Sequence, residues 1–138
     1  MNIDSIQNGY VIDHIAPGRA MQLYTMLHLD TLDACLAIIQ HVGSDKMGKK
    51  DIIKIDAEIT LDLDVIGYIS PSATVNVIQN GKIIEKKFIA PPERLVNIVR
   101  CKNPRCITTT EQEIAHIFVK QADGEYRCLY CDTKIPKQ

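Results

Sequence analysis

Four cysteines near the C-terminus carry the most specific chemistry in this sequence. Cys101 and Cys106 are separated by four residues, Cys128 and Cys131 by two, and the two pairs by 21. Each short pair places two thiolates on one tight turn, and two such turns brought together complete a tetrahedral S4 shell for Zn2+. With all four positions filled by protein, the site has no place for a metal-bound water, so its expected role is to fold its domain and not to catalyse. Two structural disulfides, a redox pair at Cys128-x-x-Cys131 and rubredoxin-like iron are the weaker alternatives.

A second, fainter constellation lies upstream. Asp13-His14 closes a β-branched run, and Lys54 and Lys86 fall on separate candidate strands where they can share a sheet face. Lysines there would meet phosphate oxygens, and an aspartate would meet ribose hydroxyls or a base amine. Solvated lysines and a strand-end imidazole are the ordinary reading of the same residues. The sequence contains no phosphate-binding glycine loop, nucleophile elbow or His-Glu-x-x-His motif, so no catalytic constellation is evident. Cys35 sits in an apolar run and reads as an inert thiol.

These groups need elements to hold them. Tyr10–Ile15 reads as a strand ending at Pro17-Gly18, and Ala20 to about Leu29 as an amphipathic helix. Residues 34–42 and 51–56 read as strands joined by a loop from Gly43 to Lys50, with Gly48 available for positive φ. Leu61, Val65, Ile66 and Ile69 fall at helical spacing before Pro71, with Thr60 or Asp62 as N-cap. Asn80-Gly81 then joins strands at 73–78 and 82–85 in a hairpin. The order β-α-β-β-α-β-β predicts an α+β fold, a ferredoxin-like antiparallel sheet with two helices. Beyond it, Ile114–Lys120 and Tyr126–Tyr130 read as strands around Asp123-Gly124, giving a small all-β zinc-binding domain too short to fold well without its metal.

Composition supports two parts. Residues 1–93 carry 8 basic and 12 acidic side chains and residues 94–138 carry 8 and 5, so a net charge of −1 hides an acidic region and a basic one. Ala90-Pro91-Pro92-Glu93 lies between them as a stiff connection, and the expected domains are 1–91 and 96–138. Near neutrality argues against a strongly basic nucleic-acid binder. Lys102, Arg105, Lys120, Arg127 and Lys134 keep a zinc-ribbon nucleic-acid adaptor as the alternative, although four thiolates and Zn2+ reduce that region's charge to about +1. No apolar run reaches the roughly 20 residues of a membrane span, and MNIDSIQNGY does not resemble a secretory signal, so the expected location is the cytoplasm.

Read together, Gly9-Tyr10-Val11-Ile12-Asp13-His14-Ile15, Met47-Gly48-Lys49-Lys50-Asp51-Ile52-Ile53-Lys54-Ile55, Ala73-Thr74-Val75-Asn76, Pro92-Glu93-Arg94 and the four cysteines closely resemble the regulatory chain of aspartate carbamoyltransferase. The resemblance runs nearly end to end. It implies a non-catalytic subunit of pyrimidine biosynthesis whose N-terminal domain binds nucleotides and whose zinc domain docks on the catalytic chain. CTP lowers and ATP raises activity in that family, often with UTP assisting CTP, and three regulatory dimers hold two catalytic trimers. Matching positions imply Asp13 and Lys54 near ribose and base, and His14 and Lys86 at the phosphates. Lys50, Ile52, Asn76, Ile78 and Ile83 would line the pocket with Ile3, Asp4 and Ile6. The cysteines carry over as ligands of one structural zinc. Gln7 and Gly81 depart from residues found in some relatives, a lysine and a larger side chain.

Overall fold

The computed structural model describes residues 6–135 and divides into two compact units, Met1–Pro91 and Pro92–Gln138. The expected effector residues Ile3 and Asp4 lie outside the described residues.

The N-terminal unit runs β1 (Gly9–Ile15), α1 (Ala20–Met26), β2 (Cys35–Ser44), β3 (Gly48–Asp56), α2 (Leu63–Ile69), β4 (Thr74–Gln79) and β5 (Lys82–Phe88). The sheet order is β2-β3-β1-β4-β5, with every neighbouring pair antiparallel. That is the split β-α-β arrangement of a ferredoxin-like sheet, extended at one edge by the β4–β5 hairpin. Strand alternation turns Ile12, Ile53, Ile55 and Val75 into the core beside Leu23, Val65, Ile66 and Ile69 of the helices, all at most 5% exposed. The opposite face of the sheet presents Lys54, Val11, Asn76 and Lys86, the residues that alternate with them.

Local chemistry sets the boundaries. Asp62, not Thr60, caps α2, its Oδ1 accepting from the N–H groups of Asp64 at 3.1 Å and Val65 at 3.4 Å. The first helix stops before Leu29, because His28 adopts φ 57° and reverses the chain; one 3-10 turn, Leu29–Thr31, then buries Leu29. The β2–β3 connection shrinks to residues 45–47, since pairing continues to Ser44 and Gly48. Gly48 takes φ 80° there, and Asn80 and Gly81 take φ 52° and 77° in the second hairpin, as a two-residue turn with positive φ requires.

The C-terminal unit holds a three-stranded sheet of β6 (Arg94–Val96), β7 (Ile117–Lys120) and β8 (Tyr126–Cys128). A single helical turn, α3 (Ile107–Thr110), adds to the all-β expectation. Both predicted strands are shorter than their apolar runs. Ile114–His116 forms a bend that ends with the His116 N–H on Asn97 Oδ1, and Leu129-Tyr130 forms the turn carrying Cys131. The strand β6 escaped notice because three residues, of which only Leu95 is buried, give no readable period.

Candidate functional site

Three local devices bring the cysteines together. After Cys101 the chain turns on Asn103, whose Oδ1 accepts from the Arg105 N–H and whose carbonyl accepts from the Cys106 N–H; Cys106 then opens α3. After Cys128 it turns again, the Asp132 N–H donating to the Cys128 carbonyl while Asp132 takes φ 65°. The pairing of β7 with β8 supplies the frame, with Phe118 opposite Cys128. The four Sγ atoms lie within 4.8 Å of one another, with Cys101–Cys131 at 3.5 Å and Cys106–Cys128 at 3.7 Å. Zn–S bonds of about 2.3 Å at tetrahedral angles place sulfurs about 3.8 Å apart, whereas a disulfide requires about 2.05 Å. The geometry fits one metal ion and no disulfide.

Electrostatics agree. Burial and the neighbouring sulfurs push the Cys101 thiol up to about 12, against one N–H from Asn103, and burial likewise raises Cys128. Burial also opposes ionisation of Cys131, but the Thr133 hydroxyl and N–H, with Asn103 and Cys101, outweigh it and bring that thiol to about 6. Without a cation the four sulfurs cannot all be thiolates. The Thr108 hydroxyl lies 3.0 Å from Cys106 Sγ and that of Thr133 lies 3.1 Å from Cys131 Sγ, as outer partners of a metal shell do. His116 Nδ1 accepts the Cys101 N–H at 2.9 Å, fixing the backbone behind the first ligand.

The second constellation lies on the open face of the N-terminal sheet. Register places Lys54, Val11, Asn76 and Lys86 in one row across β3, β1, β4 and β5. At about 4.8 Å per strand the two lysines stand roughly 14 Å apart along it. Lys50 and Ile52 alternate with Lys54 on the same face, and Ile78, opposite Ile83 of β5, alternates with Asn76. Ile83 and Lys86 are exposed, and Lys86 Nζ stands 5.5 Å from the centroid of the Phe88 ring. Ile6 is buried, at 5% exposure.

Asp13 reaches this face by alternation with Val11, and His14 through an irregularity. Pairing between β1 and β3 shifts register between Ile12 and Ile15, and His14 there takes φ 57°. Regular alternation would send consecutive side chains to opposite faces; the bulge turns both the same way. His14 Nδ1 lies 3.1 Å from Thr74 Oγ1, and Lys50 Nζ lies 2.9 Å from Asp13 Oδ1. Burial works against the Asp13 charge, yet the Lys50 ammonium and the His14 N–H at 2.6 Å outweigh it and hold the carboxyl below the usual carboxylate range. A carboxyl whose pKa falls on folding adds stability above its unfolded value near 4, and that stability disappears as pH drops through the folded value. Asp13→Asn should therefore cost about 1 kcal/mol at pH 7 and progressively less below pH 4, as read by urea unfolding at a series of pH values.

Two residues carry no functional signal in the sequence. Thr74 reads only as a strand residue, and no single-sequence signal pairs it with His14. Asp51 reads as a strand start, although alternation with Ile53 and Ile55 turns it into the core, where it is 0% exposed.

An α+β unit followed by a small unit whose four cysteines can close round one metal ion defines a two-domain protein with a structural metal centre. A family model described as aspartate carbamoyltransferase regulatory chain, allosteric domain, matches residues 1–90. A second, for the metal binding domain of the same chain, matches residues 93–138. The aspartate carbamoyltransferase regulatory chain of Clostridium botulinum strain Hall is 45% identical over 134 residues, covering 96% of this chain and 92% of that one. That of Clostridium tetani is 44% identical over 135 residues (96% and 94%), and that of Bifidobacterium longum 44% over 134 (96% of each). The chain belongs to the family of aspartate carbamoyltransferase regulatory chains. It is a non-catalytic subunit of that pyrimidine-pathway enzyme, with an allosteric domain and a metal-binding domain, and its partner is a catalytic chain.

Proposed function

We propose that the open face of the N-terminal sheet binds ribonucleoside triphosphates, CTP and ATP with UTP as a second pyrimidine effector, and that the metal unit conveys the result to the catalytic chain. The observation that carries this reading is the cross-strand row. In a region whose formal charge is −4, Lys50, Lys54 and Lys86 share one face, where the Lys50 ammonium pairs with the Asp13 carboxylate. Lysine ammonium groups suit phosphate oxygens, and a half-buried carboxylate suits ribose hydroxyls. In the proposed arrangement Asp13 and Lys54 meet the ribose and base, His14 and Lys86 the phosphates, and Lys50, Ile52, Asn76, Ile78, Ile83 and Ile6 line the pocket; Ile3 and Asp4, expected with them, lie outside the described residues. A nucleotide that binds one quaternary state better than another shifts their equilibrium by that difference in affinity, and the catalytic chain reports the shift.

The proposed complex includes a homodimer of regulatory chains. It acts in the cytoplasm, where reducing conditions keep thiols available to a metal. A nucleic-acid role is disfavoured by the ion pairs of Lys120 with Glu93, Arg127 with Asp132 and Lys134 with Glu125, which neutralise three of the five cations that suggested it.

The test is co-purification with the catalytic chains of the same organism, followed by assay with and without CTP and ATP. The complex should form and its rate should respond to nucleotide; a complex indifferent to both would refute the effector reading. Lys86→Ala should weaken CTP binding about tenfold or more by calorimetry, the scale of one charge-assisted phosphate contact, while its urea midpoint stays near wild type. Wild-type affinity would remove Lys86 from the site.

A further inference from the structure

The buried carboxylate of Asp51 lies on the core face of β3, away from both constellations, and its hydrogen bonds converge from two separate segments. Its Oδ2 accepts from the Gly18 N–H at 2.9 Å and the Ala20 N–H at 3.2 Å, and its Oδ1 accepts from the His41 N–H at 2.9 Å. A buried charged group persists only when its lone pairs are satisfied, and here three backbone donors do so. Gly18 and Ala20 belong to the turn that leads from β1 into α1. His41 lies in β2 at a register shift between Ile39 and Val42 and takes φ 60°, nearly the φ 57° of His14. Two bulges, one in each neighbour of β3, therefore flank the same point of that strand, and Asp51 stands between them.

Its neighbour completes the arrangement. Lys50 holds Asp13 from the open face, while Asp51 holds the backbone just beyond Ile15 from the core face. Consecutive residues of β3 thus hold β1 at Asp13 and the turn that follows it at Gly18 and Ala20. A non-glycine residue at positive φ is held there only by surroundings that over-determine it.

We propose that Asp51 is a positioning residue for the effector site, fixing the β1 bulge so that Asp13 and His14 face the nucleotide, and tying that bulge to the one in β2. The proposal rests on the effector reading above. Asp51→Asn is the discriminating change. Its single carbonyl oxygen can serve the Gly18 and Ala20 donors or the His41 donor, but its NH2 group confronts whichever N–H remains.

The experiment uses the full-length, zinc-loaded chain, with CTP titrated by calorimetry at a temperature where circular dichroism shows each variant folded. Ile66→Ala, in α2, serves as a control matched for lost thermal stability. Asp51→Asn should bind CTP at least tenfold more weakly than wild type, and Ile66→Ala within about twofold of it. Wild-type affinity in Asp51→Asn, or equal losses in both variants, would overturn the proposal. If Asp51→Asn fails to fold, hydrogen exchange on the wild type decides: CTP should increase protection of the Gly18, Ala20 and His41 amides, and unchanged protection at His41 would overturn it. If the wild type binds neither CTP nor ATP, the effector reading falls by itself. The positioning claim is then judged by the NMR backbone shifts of His14, which should leave the left-handed range in Asp51→Asn and overturn the claim if they do not.

Discussion

Stripping the metal from this chain, or replacing Cys106 with alanine, will unfold the C-terminal unit and leave the N-terminal sheet folded. Apart from cysteines, the large side chains buried in the described part of that unit are Leu95, Phe118 and Tyr126. Three such side chains make too small a core to order the unit alone, and the binding free energy of a structural metal is expressed directly as folding energy. Cys106 is the most buried ligand and also opens α3, so its loss removes a metal bond and the anchor of that turn together. The expected result on adding a strong chelator is collapse of the β6–β8 amide dispersion in NMR spectra while β1–β5 resonances persist. In the assembled enzyme the catalytic chains should dissociate on size-exclusion chromatography, and a complex that stays intact after complete metal loss would refute the docking role. Reloading should release protons, because the thiols of the unfolded unit are largely protonated near neutral pH and must ionise to bind the metal. Metal affinity should accordingly fall as pH is lowered.

The metal centre was legible in the sequence because its chemistry depends on short-range spacing: two turns, each fixed by its own few residues, need only one β-hairpin to bring them together. The ferredoxin-like order was legible for a related reason, since each element carries its own period or turn signal, Asn80-Gly81 most clearly. The effector face is different in kind. Lys54 and Lys86 join one row only through the registers of three strand pairs, and Asp13 with His14 turn to the same side only because of a bulge that no local pattern announces. Residue types and strand placement marked them only as a faint constellation that solvated strand residues explain equally well, and the likeness to a known family gave them roles. Asp51 shows the converse failure. Alternation along Asp51, Ile53 and Ile55 was readable, but a carboxylate in an inward position looks like a strand end until its three donors, contributed by residues 10 to 33 positions away, are in place.

The two units divide the regulatory task along physical lines. A nucleotide can act on a distant catalytic chain only through differential affinity for two arrangements of the assembly, so its site must be sensitive to small shifts while the dock must not yield. The proposed effector face has the first property: its charged groups stand on the bulged strand β1, on β3 and on the edge strand β5, where the exposed Lys86 Nζ lies over the Phe88 ring. The thiolate cluster has the second, with every ligand supplied by protein and seated against hydrogen-bonded turns.

The start of β1 should be the least forgiving backbone position in the N-terminal unit, and Gly9→Ala should destabilise that unit by about 3 kcal/mol or more. A Cβ built on Gly9 would lie 1.9 Å from the Ile55 carbonyl oxygen and 3.0 Å from the Ala57 nitrogen, both backbone atoms of the partner strand and its exit. A flexible side chain could swing away; a carbonyl fixed in a ladder cannot, so the strands themselves must separate. Because β1 is the middle strand, with Tyr10 opposite Ile55 on one side and Gly9 opposite Ile78 on the other, displacement disturbs both ladders at once. For a unit of this size the loss corresponds to a fall in melting temperature on the order of 15 °C. Gly43→Ala is the appropriate comparison, since its added Cβ would meet nothing within 4 Å and its backbone needs no positive φ; it should stay within about 0.5 kcal/mol of wild type. Equal melting temperatures for the two variants would show that β1 and β3 do not approach as closely at Gly9 as the sheet register requires. A drop confined to Gly9→Ala, with the metal still bound, would place the strain in the N-terminal sheet and nowhere else.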